Sequence, residues 1–408
     1  HMPTLASSSL VQVRYIPEST FGVTPGVGNP KDLRITGESL DFTISKEQSK
    51  EINSTRTITS VAPVTAAASG GVQAELSYAE YDTLMAAELQ STWAVYGTNG
   101  VQGTAASVTA TATTLTASVA TSGADNWANL QRGQWFRLVH PSTANDGKVF
   151  RVSTSVAPTS TVITLDTNTP ASVVADTAGA RVQTSRLTHG TTQTSFSIER
   201  QATDINQFMV YTGMTPSKMD INVASGSLSS ISFDFMGKDM DRAGSTQLPG
   251  SPVASYNYEI QSGVSGTTCQ LWEGGAPLTS TFVKSVSLSY DNALRSQEAL
   301  CTLGAIGVGS GTINITGSMS VYFADGSLFD KFKANTNTSI IFSSQDSSGN
   351  GYVFTIPVAN ISSWKVTAGS KDQDMMVDLQ FIGLRDAGNA VAGLRKALFI
   401  DRLGVAVV

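Results

Sequence analysis

The sequence predicts a mainly β protein built from two related β-sandwich units, each with one short flanking helix, plus a small β unit inserted into the first. Three observations carry this. Charged residues make up only 14% of the 408 positions, against about 25% in an average globular chain, while Gly (36), Ser, Thr, Ala and Val are abundant. Strictly alternating apolar residues recur, as in Ile231, Phe233, Phe235 and again in Val377, Leu379, Phe381, the period-two pattern of a strand with one buried face. The third is self-similarity over the length of a whole domain.

The repeat is an order of elements. In the first half, GGVQAELSYAEYDTLMAAEL, ending at Leu89, gives a strand with Val72, Ala74 and Leu76 on one face, then a helix opening near Asp82. In the second, GTINITGSMSVYFADGSLFDKFKA, residues 311–334, puts Ile313, Ile315 and Met319 in a strand. Leu328, Phe329 and Phe332 then line a helix capped near Asp325 or Ser327. Downstream, Val210, Tyr211 and Thr212 align with Val353, Phe354 and Thr355, and Pro216 and Pro357 mark turns. The closing strands end FMGKD at Asp239 and FIGLRD at Asp386.

The halves differ between helix and next strand. The second uses only NTNTS, residues 335–339, whereas the first holds a stretch with its own strand pattern, including 135–139, 149–152 and 162–165 and an NDG turn at 145–147. The expected organisation is a discontinuous first unit, 1–95 and 186–245, with an N-terminal arm over 1–30. Its insert, 96–185, projects outward from a loop. A Gly/Ser/Pro-rich linker, 246–280, leads to a second unit, 281–390, and a tail, 391–408, that packs on the body. Residues 60–71 (SVAPVTAAASGG) and the run Gly304, Gly307, Gly309, Gly311 read as mobile arms between strands. The glycine run lacks the Lys and Ser/Thr that would make it a phosphate loop.

Composition excludes several functions. A net charge of −6 disfavours a protein that grips nucleic acid phosphates. No apolar run reaches the ~20 residues of a membrane helix, and the N-terminus lacks a secretory pattern, so a soluble protein made in a cytoplasm is expected. His1 before Met2 reads as the remainder of a cleaved tag. His140 and His189 stand apart from any nucleophile motif, and with two cysteines, Cys269 and Cys301, a zinc site has no ligand set. No cofactor, metal or catalytic residue is expected. The carboxylates Asp234, Asp239, Asp241 and Asp372, Asp374, Asp378 fit a solvated sheet face better than a glycosidase pair. Trp135, Phe136, Trp272 and Trp364 could form a sugar-stacking platform, although core packing is the commoner use of such residues.

Several segments, in order, resemble the tail tube proteins of siphophages: ESTFGVTPG at 18–26, LRITGESLDFTISKE at 33–47, the Gly-Gly before ELSYAEYDTLMAAEL with nearby Trp93, SFSIERQATDINQFMVYTGM at 195–214, and ISFDFMGKDM at 231–240. The resemblance implies sandwiches whose sheets join around a ring, and rings that stack into a hollow conduit for double-stranded DNA. Single-domain relatives look hexameric, so two copies per chain imply a pseudo-hexameric ring of three subunits. It further implies self-association, a tail tip initiator, a terminator, a tape measure protein in the lumen, and a place in the virion after assembly in the host cytoplasm, with no membrane partner. The arms 46–71 and 291–311 would bridge rings, with Lys46, Glu47, Lys50, Glu51, Arg56, Arg295 and Glu298 as contact residues. An acidic lumen would let DNA slide. The alternative is an extracellular adhesin or carbohydrate-binding β-module; a polysaccharide-degrading β-helix lacks the short repeat it needs.

Overall fold

The computed structural model describes residues 5–139, 145–168, 179–264 and 271–405. Strands dominate, and among the described residues there are two α-helices, α1 (Asp82–Glu88) and α2 (Ser327–Ala334).

Eight strands form one continuous antiparallel sheet. In spatial order they are Asp41–Gln48, Val61–Glu75, Ser230–Gly237, Gln207–Ala224, Val283–Asp291, Asn314–Tyr322, Met375–Leu384 and Gly351–Ala368. The first four come from the first half of the chain and the last four from the second. Each half follows the same neighbour rule: hairpin, closing strand, long strand. The halves meet where Lys218–Ala224 pairs with 285–291.

The two long strands serve two layers. The first part of Gln207–Ala224 pairs with Phe196–Ala202 and Asp239–Ala243, and Val11–Pro17 and Lys31–Leu33 extend that outer layer. The chain then crosses into the eight-stranded sheet at a register break between Pro216 and Lys218. Gly351–Ala368 pairs first with Thr338–Gln345, then with Met375–Leu384, breaking register between Ile361 and Ser363. A β-bulge bends and twists a strand, which is how one strand can belong to two layers. Between the layers lie Met219, Ile221, Phe233, Leu288, Tyr290, Met319, Leu379 and Phe381, all at most 2% exposed.

The bulges fix how the halves superimpose. Met219 faces Phe233 and Trp364 faces Leu379, so Tyr211 occupies the place of Ile356 and not that of Phe354, two residues from the alignment by sequence.

The segments expected to be mobile arms are largely paired. Residues 61–71 belong to the strand Val61–Glu75, which forms a long hairpin with Asp41–Gln48. Gly307–Gly309 pairs with Arg295–Gln297 as a small two-stranded ribbon. Ladder pairing outweighs the poor strand propensity of Ala and Gly here.

The described parts of 246–280, residues 246–264 and 271–280, are stitched onto the body. The Arg34 guanidinium donates to the Tyr256 and Tyr258 carbonyls at 3.2 and 2.9 Å, Leu248 and Trp272 are buried, and Trp272–Glu273 adds a strand to Thr338–Gln345.

Residues between 106 and 183 make a separate six-stranded sheet with its own core, including Trp127, Phe136, Phe150 and Val182. This sheet does not stand clear of the body. Trp135 meets Trp272 edge to face at 5.0 Å, in a cluster with Ile341, Val353 and Leu403.

The strand Phe399–Arg402 lies between Ser185–Thr188 and Gly351–Ala368, so it ties a strand of the first half to the outer layer of the second. Its charges, which interrupt the apolar pattern in sequence, are buried and paired. Asp401 accepts two hydrogen bonds from Arg186, at 2.6 and 2.8 Å, and one from the Trp135 amide at 3.1 Å. Arg402 pairs with Asp82, which also accepts the Tyr352 hydroxyl.

Candidate assembly surfaces

One face of the eight-stranded sheet is buried and the other is open. Period-two alternation sends Met219, Ile221 and Val223 inward and leaves Lys218, Asp220 and Asn222 outside. Across the sheet the open face carries Asp234, Ser287, Ser289, Asp291, Thr316, Ser318, Asp378 and Gln380. A shallow depression of about 590 Å³ runs along it, lined by Asp220, Ser289, Thr316, Ser318 and Gln380 among others. Carboxylates outnumber lysines there: Lys218 sits 3.1 Å from Asp220, and Lys365 pairs across strands with Asp378. The face is small, polar and acidic.

Of the acidic groups singled out in the sequence, Asp234 and Asp378 lie on this face. Asp239 and Asp241 lie on the strand Asp239–Ala243, and Asp372 sits in a turn with φ of 65°. They do not converge. Among the described residues no cluster of three or more His, Cys, Asp or Glu side chains could hold a metal.

Sequence patterning did not single out Glu88. It is fully buried on α1, where burial and the nearby carboxylates Asp291, Asp234 and Asp220 hold its pKa well above the usual range. Asn292 donates to its carbonyl at 2.6 Å and to Oε1 at 3.1 Å. His189 is also structural: its Nε2 accepts the Ala397 amide at 3.0 Å, and burial with Lys396 and Arg385 nearby lowers its pKa to about 4. His140 and Cys269 lie outside the described residues, and Cys301 is exposed.

The aromatic platform does not form. Trp135, Phe136 and Trp272 are at most 1% exposed, and Trp364 packs against Phe329 at 5.7 Å.

Both arms leave the same end of the sheet. Lys46 and Glu47 are exposed on the strand Asp41–Gln48, and Lys50, Glu51 and Arg56 lie at the hairpin tip. Arg295 and Glu298 are exposed on the second arm, where the Arg295 Nη1 donates to the Ser310 carbonyl at 2.9 Å. The arms also expose large apolar groups: Ile52 is 97% and Leu300 95% exposed. Isolated apolar side chains on a surface are ordinary, but here they concentrate on two projecting tips, as in contact surfaces.

Among the described residues the sheet ends in two unpaired edges, Asp41–Gln48 on one side and the last part of Gly351–Ala368 on the other. An open edge is a template for another strand. Among the described residues no helix is long and apolar enough to cross a membrane.

Open edges, apolar arm tips and a polar face without convergent chemistry define a structural assembly protein. A family model described as phage tail tube protein matches residues 8–383, nearly the whole chain, and the protein belongs to that family. It is therefore a structural subunit of a phage tail tube, a component of the virion tail that assembles with itself and with other tail proteins. No curated protein matches the chain.

Proposed function

We propose that three copies of this chain close into a pseudo-hexameric ring, and that rings stack into the hollow tail tube of a siphophage, through which double-stranded DNA passes. The observation that carries this reading is the internal seam. Two halves of like construction are joined in one sheet by pairing Lys218–Ala224 with 285–291, and the same kinds of strand are left open at the two outer edges. A chain that already contains one such joint, and carries the unmatched sides of a second, is suited to cyclic closure.

An ancestral duplication accounts for the likeness of the halves. The bulges agree, and so do two glycines: a Cβ at Gly70 would lie 2.1 Å from the Ser39 carbonyl, and one at Gly317 would lie 2.6 Å from the Ser287 carbonyl. These positions match in the two pairing schemes, and in both the backbone approach excludes a side chain.

The acidic polar face lines the lumen in this scheme. Negative potential keeps phosphates from binding and leaves DNA free to slide. The arms reach the next ring, with Lys46, Glu47, Lys50, Glu51, Arg56, Arg295 and Glu298 at the ring-to-ring contact. A tape measure protein fills the lumen before DNA, an initiator and a terminator bound the tube, and assembly takes place in the host cytoplasm. Negative-stain electron microscopy of concentrated protein tests the scheme. Hollow tubes or rings with three-fold averages and six similar inner lobes are expected; six-fold rings of whole chains, or no rings in any condition, would overturn it.

A further inference from the structure

The internal seam also prescribes a register for the seam between chains. Within the chain, Met219 lies opposite Tyr290, Asp220 opposite Ser289 and Ile221 opposite Leu288. The bulges make Trp364, Lys365 and Val366 the counterparts of Met219, Asp220 and Ile221. On the other strand, Ala68 pairs with Phe42 and Ile315 with Tyr290, which makes Leu40, Asp41 and Phe42 the counterparts of Leu288, Ser289 and Tyr290.

We propose that the edge formed by residues 39–43 of one copy pairs antiparallel with residues 363–367 of the next. Thr43 then lies opposite Ser363, Phe42 opposite Trp364, Asp41 opposite Lys365, Leu40 opposite Val366 and Ser39 opposite Thr367. This inference rests on the ring reading above and gives its lateral contact an address.

The transposed register is chemically complementary, although the residues differ from those of the internal seam. On the core side it sets an aromatic pair, Phe42 with Trp364. On the open face it sets a charge pair, Asp41 with Lys365, both exposed in the single chain. Such cross-strand pairs are the unit of sheet stabilisation.

Burial points the same way. At the internal seam Met219, Ile221 and Tyr290 are 0%, 1% and 0% exposed. At the open edges Val366 is 39% exposed, and Trp364 and Phe42 are only partly buried. The edges thus show apolar groups whose counterparts are covered where a neighbouring strand exists.

The single chain also screens its own edge. The Phe42 amide donates to Asp41 Oδ1 and the Leu40 amide to Glu38 Oε2, each at 2.8 Å. Local carboxylates hold these donors until a strand arrives, which limits indiscriminate edge pairing.

Paired cysteines test the register in the full-length chain with both native cysteines replaced by serine. Ser39→Cys with Thr367→Cys places thiols on residues expected to be direct partners, within the Cα spacing a disulfide spans. Covalent dimers and trimers on non-reducing gels of assembled particles, absent for the offset pair Ser45→Cys with Thr367→Cys, are the expected result. Assembly with no cross-link, or with equal cross-linking of both pairs, would overturn the register and leave the ring intact. Failure of the unmodified protein to form any ring would overturn the ring reading itself, and the register with it. A charge swap gives an independent readout: Asp41→Lys and Lys365→Asp each slow tube growth several-fold, and the double swap restores it. Double and single variants with equal growth rates would contradict the pairing.

Discussion

The two helices occupy the same place in the two halves but live in different surroundings. Helix α1 buries Asp82, Leu84, Met85, Ala87 and Glu88 of its seven residues, whereas α2 buries only Leu328 of eight. The covering of α1 comes from downstream: Asn292 caps Glu88, and Tyr352 and Arg402 reach Asp82. Helix α2 is covered from downstream mainly by Trp364, which packs on Phe329 at 5.7 Å, and Phe329 stays 38% exposed. Helix burial is therefore set by the strands that the chain later lays beside each half, more than by the helix sequence.

Five substitutions break or sharpen this contrast. Asp82→Ala leaves Arg402 buried without its partner and should cost about 3 to 5 kcal/mol, the usual penalty for halving a buried pair, read as a drop in the urea unfolding midpoint. A loss below ~1 kcal/mol would mean that the α1 network does not tie the two halves together. Leu328→Ala in α2 should cost about 2 to 3 kcal/mol, less than Leu84→Ala in α1, because the looser surroundings of α2 can collapse around the cavity. Equal losses at the two leucines would erase the contrast.

Glu88→Gln addresses charge. A carboxyl whose folded pKa lies above its unfolded one takes up protons on folding, so its ionisation weakens the fold as pH rises past the ordinary carboxylate range. The glutamine variant should match the parent near pH 4 and be more stable above pH 6 in urea titrations. The reverse order would show that Glu88 is held ionised. Lys331→Ala removes the pair between α2 and Glu273, in which the lysine is about one-third exposed, and should cost less than about 1 kcal/mol; thermal denaturation shifting by more than a few degrees would contradict that.

Much of this architecture was legible in the sequence, for reasons that particular residues make plain. Alternation at Ile231, Phe233, Phe235 and at Val377, Leu379, Phe381 announces strands because burial on one face imposes period two. The bulges at Ser217 and Ser362 leave no such signal, and without them the likeness of Val-Tyr-Thr at 210–212 to Val-Phe-Thr at 353–355 points two residues away from the true counterpart. Ala and Gly content hides the first part of the hairpin strand Val61–Glu75, up to Gly71, and Phe399–Arg402 is hidden by charges whose partners, Arg186 and Asp82, lie far away in sequence. The arm residues from Lys46 to Glu298 were visible as exposed charge. The edge register was not, because it depends on where the bulges fall.

The position of Phe399–Arg402 also bears on the timing of folding. Arg186 and Asp401 are 215 positions apart, and the strand Phe399–Arg402 emerges from the ribosome after both strands it pairs with. Contacts so distant in sequence are slow to form, and domains in large chains generally fold as units during synthesis. Ser185–Thr188 therefore keeps one edge open until Phe399–Arg402 has been synthesised.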